Sequence, residues 1–165
     1  MKNLIVYSSK SGNTKKLAEA VSNFLPGENF LKSVRENPDP TGYDFVVVGF
    51  WLQAGKADPE SQEYLEKLPL SNVFLFATHG AAKGSAHAQN AMQGAQQLVG
   101  ASQSFGSFNC QGEVKAEFLA KVQKKDPPPP WIIDAPEAVG HPDATDIADL
   151  QKELERAVTL LRSKI

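Results

Sequence analysis

The sequence predicts an α/β fold, in which a parallel sheet of five strands lies between two layers of helices. Three observations support this prediction. Apolar segments with strand composition alternate along the chain with amphipathic segments of helical period. The run Phe-Val-Val-Val-Gly-Phe at residues 45–50 is typical of a central parallel strand that is covered on both faces. The 165 residues contain no internal repeat and suit one domain, which we place at residues 1–165.

The predicted elements alternate in the order that a parallel sheet requires. Apolar runs bounded by turn residues predict strands at residues 2–7, 29–34, 45–50, 73–77 and 104–110. Helical periodicity predicts helices at residues 14–25, 59–68, 85–98 and 113–124. The first of these helices ends at Pro26-Gly27, which cannot continue it. The apolar face of the fourth is predicted to contain Val114, Phe118, Leu119 and Val122.

The alternation breaks at a proline-rich segment. Residues 126–142 begin with Asp-Pro-Pro-Pro-Pro, which neither a helix interior nor a central strand accommodates. We therefore predict a surface connector in which Trp131, Ile132 and Ile133 pack against the rest of the protein. A final helix should follow, with Asp143 as its N-cap and with an apolar stripe formed by Ile147, Leu150, Leu154, Val158 and Leu161.

Composition and charge restrict the possible functions. The net charge of −2 provides no basic field for nucleic acid, and no apolar run reaches the roughly 20 residues that cross a bilayer. The single cysteine, Cys110, excludes an internal disulfide, so we expect a cytoplasmic protein with a buried, unreactive thiol. The three histidines and this cysteine show no metal-ligand spacing, so we predict no metal site.

The turn that follows the first strand is the most informative segment. Apolar residues end at Tyr7, and a helix is predicted to begin directly after a short hydroxyl-rich turn. Backbone N–H groups at a helix N-terminus carry partial positive charge, and a glycine lets the backbone approach a ligand. We therefore predict a phosphate site formed by Ser8, Ser9, Lys10, Ser11, Gly12, Asn13 and Thr14. The alternative is a serine-rich turn that only caps its own helix.

This turn also carries a family resemblance. Residues 5–14, Ile-Val-Tyr-Ser-Ser-Lys-Ser-Gly-Asn-Thr, with Ala18 after them, resemble the flavodoxin signature. The resemblance implies that the turn binds the phosphate of FMN, and that the fold is flavodoxin-like with strand order 2-1-3-4-5. It also implies that the loops at residues 8–14, 50–58 and 78–85 converge on one crevice. The mild net charge differs from the strongly acidic pattern of the family.

The resemblance assigns flavin contacts to the second of these loops. Flavodoxins carry here an aromatic residue that stacks on the flavin ring and a glycine whose peptide can hydrogen-bond it, and Trp51 and Gly55 are the candidates. Trp51 would otherwise contribute to core packing at a strand end. Lys56 would raise the reduction potential if it lay beside the flavin, and would otherwise be solvated. The predicted cofactor contacts in this loop are Phe50, Trp51, Leu52, Gly55 and Lys56.

The third loop lacks the tyrosine and the neighbouring aspartate that flavodoxins often place there. Its small residues would let the backbone approach the polar end of the ring, and the flavin face would be left open. His79 is a candidate for a flavin hydrogen bond or a proton gate, with a surface role as the alternative. The predicted cofactor contacts in this loop are Thr78, His79, Gly80 and Gly84.

These features predict an FMN-binding electron carrier between a reductase and an acceptor enzyme, rather than a stand-alone enzyme. Residues 49–51, 55–58 and 108–112 resemble a flavodoxin-like branch from anaerobic bacteria, whose members include small flavin components beside reductases, among them bilirubin-reducing ones. Two alternatives stay open: a small FMN-dependent NAD(P)H:acceptor oxidoreductase, and an interaction module that has lost its cofactor. No nicotinamide-binding fingerprint is present, and neither nucleic acid nor membrane is expected as a partner.

Overall fold

The computed structural model describes residues 1–164, which form six strands and five α-helices. The strands are β1 (Lys2–Tyr7), β2 (Glu28–Ser33), β3 (Phe45–Gln53), β4 (Lys56–Ala57), β5 (Asn72–His79) and β6 (Gln103–Gln111). The helices are α1 (Asn13–Phe24), α2 (Pro59–Glu66), α3 (Ala86–Leu98), α4 (Ala116–Val122) and α5 (Ala144–Arg162). Two 3₁₀ helices cover Val34–Glu36 and Pro130–Ala138. The predicted α/β class is confirmed.

The five long strands are parallel and lie in the order β2-β1-β3-β5-β6. Counted along the chain, this is the predicted order 2-1-3-4-5, which is confirmed. The additional strand, β4, is antiparallel to the end of β3, with Leu52 opposite Ala57. Ala54 and Gly55 join them with φ angles of 50° and 77°, the positive pair that a two-residue hairpin turn requires. The segment 50–58 is therefore a β-hairpin rather than the open loop that we predicted.

Helices cover both faces of the sheet, and each face has its own apolar core. On one face α1 and α5 bury Leu17 and Leu154 against Ile5 of β1. On the other face α2 and α3 pack over the sheet, and Leu65 joins Leu4 in the second core. Neighbouring residues of β1 thus enter opposite cores, as the two-residue period of a strand dictates. This arrangement leaves the carboxyl ends of the parallel strands at one edge, where the loops meet.

The helix before the connector differs from the prediction. The helix predicted at residues 113–124 is shorter in the structure, where α4 covers only Ala116–Val122. Val122 is the buried residue of this short helix, whereas Phe118 is 44% exposed and does not contribute to the core. The connector contains a 3₁₀ helix, in which every third residue faces the same way. Ile132 and Ala135 therefore face inward while Ile133 is 80% exposed, so the predicted packing of Ile133 is wrong.

The ends of two other elements matter for the site. β5 continues to His79, two residues beyond the predicted end, because its last residues still pair with β6. Thr78 and His79 therefore belong to a buried strand rather than to the third loop. α5 begins as predicted, with Asp143 as its N-cap. Among residues 1–164, we find no helix with the length and apolar character needed to span a membrane.

Candidate functional site

The N-terminus of α1 lies at the carboxyl end of β1 and is left open. Its N-cap residue is Gly12, at a φ of 99°, and within residues 1–164 no side chain caps it. The helices α2, α3 and α5 begin instead with side-chain caps from Asp58, Ser85 and Asp143. Of the five α-helices in the described chain, only the short α4 shares the open start of α1. The left-handed conformation explains the glycine at position 12.

Backbone N–H groups of this turn have no acceptor among residues 1–164. Gly12 N donates to Ser9 Oγ at 3.1 Å. In contrast, no partner within the described chain accepts from the amides of Ser9, Lys10, Ser11, Asn13, Thr14 and Lys15. Free N–H groups at a helix N-terminus, where the helix dipole adds positive potential, form the donor set of an anion site. The residues present therefore fit a phosphate group.

Two hydroxyl groups of the predicted phosphate turn already have partners inside the protein. Ser8 Oγ donates to Asp58 Oδ1 at 2.9 Å, and Thr14 Oγ1 lies 2.9 Å from Thr78 Oγ1. All four residues are buried. These contacts join the first turn to the start of α2 and to the end of β5, so the hydroxyls of Ser8 and Thr14 have a structural role, and their predicted contacts with a ligand stay predictions.

The remaining polar residues of the turn divide into two groups. Asn13 Nδ2 donates to the carbonyl of Glu113 at 2.9 Å and thereby ties α1 to the segment after β6. Ser9 is half-buried and Ser11 is exposed. The Ser9 oxygen accepts from Gly12 N, which leaves its hydroxyl proton available. Ser9 and Ser11 are therefore the hydroxyl groups that a ligand could reach.

Trp51 and Phe50 have opposite surroundings at the end of β3. The side chain of Phe50 is completely buried in the core between the sheet and the α2–α3 layer, and the cofactor contact predicted for this residue stays a prediction. Leu52 is half-buried against the same core. Trp51 is half-buried at the strand end, and Lys10 Nζ lies 5.4 Å from the centre of its ring. The first turn and the hairpin thus meet at the Trp51 ring.

Gly55 and Lys56 lie at the tip of this hairpin. Lys56 is exposed. A Cβ atom at Gly55 would lie 3.4 Å from Cε1 of His87, so the start of α3 is next to the hairpin. The hairpin tip is a position from which backbone groups could contact a ligand, and the contacts predicted for Gly55 and Lys56 stay predictions.

His79 is held inside the protein. It is 6% exposed, its Nδ1 lies 3.0 Å from the carbonyl oxygen of Ala81, and its Nε2 lies 2.9 Å from the side-chain oxygen of Asn109. Burial lowers the pKa of His79 below its ordinary value, which favours the neutral ring. Because both ring nitrogens have partners in the protein, a flavin contact or a proton-gate role would require the ring to exchange one of these contacts, and that role stays a prediction. His79 and Thr78 position the loop that follows them.

The backbone of the third loop is partly covered by a segment that the sequence analysis did not assign to the site. A Cβ atom at Gly80 would lie 2.8 Å from Val114 Cγ2 and 3.0 Å from two ring carbons of Trp131. Gly84 has a φ of 75°, and in the described part of the chain no atom beyond its neighbours lies within 4 Å of the corresponding Cβ position. The contacts predicted for both glycines stay predictions, with Gly80 the more enclosed of the two.

Three residues of the site were missed or misassigned by the sequence analysis. The rings of Phe118 and Trp131 are stacked, with centres 6.5 Å apart and an angle of 6° between their planes. Lys10 Nζ lies 5.5 Å from the centre of the Phe118 ring, and Asp134 Oδ2 accepts from Ala82 N at 2.9 Å. The available signal was the aromatic residue inside a proline-rich segment, but helical periodicity favoured a core position for Phe118.

A cluster of ionisable residues lies at the start of α5, with polar atoms of His141, Asp143 and Asp146 all within 4.8 Å of one another. Asp143 accepts from Thr145 N and Asp146 N, and Asp146 accepts from Asp143 N. The carboxylates therefore form a capping box for the helix.

Cys110 is completely buried, as predicted, and burial raises the pKa of its thiol above the ordinary value.

Comparisons with known proteins agree with this geometry. The family model of the flavodoxin domain matches residues 4–155. The flavodoxin-like domain-containing protein BilS of Clostridioides difficile is 31% identical over 129 residues, which cover 75% of this chain and 73% of that protein. The Streptococcus pneumoniae flavodoxin shares the fold over 100% of both chains, with a TM-score of 0.64 at 14% identity. The Lactobacillus acidophilus flavoprotein, solved in complex with FMN, has a TM-score of 0.51 at 18% identity and covers 66% of this chain and 92% of its own. The chain belongs to the flavodoxin family.

Proposed function

We propose that this protein binds FMN and carries electrons between a reductase and an acceptor enzyme. The observation that supports it best is the open N-terminus of α1, whose free N–H groups form a donor set for a phosphate beside the half-buried Trp51. Membership of the flavodoxin family supports the same cofactor, and the Lactobacillus acidophilus neighbour was solved with FMN. Bound FMN would supply a ring that accepts and releases electrons.

In this proposal the first turn holds the phosphate mainly through its backbone. The N–H groups of Ser9, Lys10 and Ser11 join those at the start of α1, where the helix dipole favours an anion. The hydroxyls of Ser9 and Ser11 add donors, and Lys10 adds a positive charge. No atom of residues 1–164 beyond the immediate neighbours lies within 4 Å of a Cβ built on Gly12, so the space over the turn is open to a ligand.

The hairpin and the third loop would receive the ring. Trp51 offers an aromatic face, and the backbone at Gly55 and Gly80 could bond the polar edge of the flavin. Lys56 is exposed at the hairpin tip and would favour the anionic reduced flavin if it lay beside it. Below this surface, Ser8 and Thr14 fix the relative positions of the loops through Asp58 and Thr78.

The partners follow from the proposed electron transfer and from the relatives. The match to BilS of Clostridioides difficile supports the branch that the sequence resembles. We infer that the donor is a reductase and that the acceptor is an enzyme of the same redox system, with a bilirubin-type reductase as the specific candidate. We place this activity in the cytoplasm, where a chain with a single cysteine is ordinary.

The proposal is tested by titrating the purified apoprotein with FMN and with riboflavin, which lacks the phosphate, and recording the visible absorption spectrum. We expect FMN to bind and its spectrum to shift. The Ser9→Ala/Ser11→Ala double variant should bind FMN at least about tenfold more weakly, because it loses two donors to a charged group. Its affinity for riboflavin should not change, since riboflavin never reaches the phosphate turn.

Ser104→Ala is the matched control, because Ser104 is exposed at the start of β6, at the opposite edge of the sheet. It should bind both flavins as the wild-type protein does. A wild-type protein that leaves the FMN spectrum unchanged would contradict the proposed function. Equal loss of FMN and riboflavin affinity in the double variant would contradict the phosphate role of the turn.

A further inference from the structure

We propose that Trp51 and Phe118 are the two walls of a slot for the flavin ring, and that the Lys10 side chain leaves this slot when the ring enters. The inference rests on the proposed FMN binding and assigns the second wall, which the third loop lacks. It places the outer aromatic residue on α4, after the last strand, rather than in the loop after β5. We call the space between the two rings the aromatic slot.

The position of Lys10 defines the aromatic slot. Its Nζ lies over the Trp51 ring, 5.4 Å from the ring centre, and over the Phe118 ring, 5.5 Å from that centre. Both ring faces are therefore turned toward one point. Stacked aromatic rings prefer centres about 4.5–7 Å apart, and the ammonium lies within that range of both ring centres, so we infer that a flat ring could replace it there and contact both rings.

Lys10 can leave this position at little cost. Its side chain is exposed, and no carboxylate among residues 1–164 forms a salt bridge with it. Cation–π contacts at exposed sites are weak, and a solvated lysine exchanges such contacts for water readily. A flat ring offers each aromatic wall far more contact area than an ammonium group does. The flavin ring should therefore displace the Lys10 side chain toward the phosphate site of its own turn.

Phe118 is supported from behind although it is 44% exposed. Its ring is stacked on Trp131 with an angle of 6° between the planes. Trp131 packs against Gly80, where a Cβ atom would lie only 3.0 Å from its ring. The segment that carries Trp131 is held to the third loop by the bond from Ala82 N to Asp134 Oδ2, at 2.9 Å. A large apolar ring that is both exposed and fixed is suited to binding a flat ligand.

The experiment measures the affinity of Phe118→Ala, Phe118→Tyr and wild-type protein for FMN and for riboflavin. Quenching of the fluorescence of Trp51 and Trp131 reports the binding of either flavin. Because both flavins carry the same ring, Phe118→Ala should weaken both by the same factor, about tenfold for the loss of one stacking partner. Phe118→Tyr keeps the stacking face and should restore both affinities to within about twofold.

The matched control is Leu70→Ala, which removes another exposed apolar side chain, 79% exposed, before β5 and away from the slot. It should leave both affinities unchanged. If wild-type protein binds FMN and Phe118→Ala binds both flavins equally well, the slot is wrong while the proposed function stands. If Phe118→Ala weakens FMN binding and Phe118→Tyr weakens it equally, stacking of the flavin on residue 118 is excluded, and the slot is wrong in this case too. Wild-type protein that binds neither flavin would overturn both proposals.

Discussion

The N-termini of α1 and α5 differ in what accepts hydrogen bonds from their first backbone N–H groups, which have no partner inside the helix. At α5 the protein supplies its own acceptors: Asp143 Oδ1 accepts from Thr145 N at 2.8 Å and from Asp146 N at 2.9 Å. At α1 a glycine stands at the N-cap, and no side chain within residues 1–164 caps the helix. A capped start stabilises the folded protein at all times, whereas an open start keeps its donors for a ligand.

The difference shows where the proposed binding site would lower the stability of the folded protein. A side-chain cap contributes about 1 kcal/mol to the free energy of unfolding, and α1 lacks this contribution. Gly12 also has a positive φ, a backbone conformation that residues other than glycine adopt with strain. The helices α2, α3 and α5 are capped and the short α4 is not, so the missing cap at α1 supports the proposed anion site only together with the free N–H groups of the turn before it.

The largest effect should come from closing the open helix with a charge. Gly12→Asp places a carboxylate at the N-cap of α1, where the structure leaves space for it. This carboxylate would compete for the N–H groups and repel the phosphate, and we expect FMN affinity to fall by about a hundredfold or more. Isothermal titration with FMN measures the change.

The control for this variant is Gly12→Asn, which has the same shape without the charge and tolerates a positive φ. It should lose much less FMN affinity than Gly12→Asp, while both variants share the backbone strain. If the aspartate and asparagine variants bind FMN equally, the electrostatic difference between the two helix starts has no functional meaning.

A second prediction removes a carboxylate from the capped helix. Asp146 is 4% exposed, and its Oδ2 accepts from Asp143 N at 2.9 Å and lies 2.5 Å from His141 Nδ1. Asp146→Ala leaves these groups without their acceptor, so the free energy of unfolding should fall by about 1–3 kcal/mol. Urea denaturation measures this loss, and Asp146→Asn, which keeps an oxygen acceptor, should lose less.

The affinity of Asp146→Ala for FMN sharpens the comparison. We expect it to stay within about threefold of the wild-type value, because the donors of the first turn belong to α1. A loss of FMN binding as large as that of Gly12→Asp would show that the start of α5 also serves the ligand, and the division between a stabilising and a binding helix start would fail.

The smallest predicted effect is a pH dependence of the capped start. The backbone N–H of Asp146 holds the pKa of Asp143 below its ordinary value. The stabilisation from this carboxylate is therefore fully present above the pKa of an unfolded aspartate, about 3.9, and is lost as the pH falls through the lower folded-state pKa. Asp143→Asn keeps an acceptor oxygen but does not titrate.

Thermal unfolding of wild-type protein and Asp143→Asn between pH 7 and pH 2 tests this sign. The wild-type protein should unfold a few degrees higher at pH 5–7, and the difference should shrink below about pH 4. Other carboxylates titrate in both proteins and cancel in the comparison. A difference between the two midpoints that grows on acidification would contradict the assigned role of Asp143.

Parts of the site could be predicted from local sequence because local rules decide them. The strand at residues 2–7 and the helix after it were placed to within one residue, since apolar runs and helical periodicity are read over a few positions. Gly12 and its hydroxyl-rich neighbours indicated an anion site because a helix start is a local feature. The order of the strands required the family resemblance, and the structure confirms it.

The errors share a physical cause, which is competition between contacts distant in sequence. His79 was predicted to lie in the third loop, but the pairing of β5 with β6 places it in a buried strand, where Asn109 from the neighbouring strand contacts its ring. Phe118 was assigned to the core, but it is 44% exposed and stacks on Trp131 of the proline-rich segment. In both cases the local sequence pattern predicted one position for the side chain, and a contact with another element of the fold placed it elsewhere.

The sequence by itself determined the α/β class, the glycine turn before α1 and the capped start of α5, because periodicity, glycine and capping residues act within a few positions of the chain. Only the tertiary structure decided that Ser8 contacts Asp58, that Thr14 contacts Thr78, and that Lys10 lies over the rings of both Trp51 and Phe118. These contacts join residues far apart in the chain, and the packing of the sheet and its loops, which no local pattern encodes, brings them together.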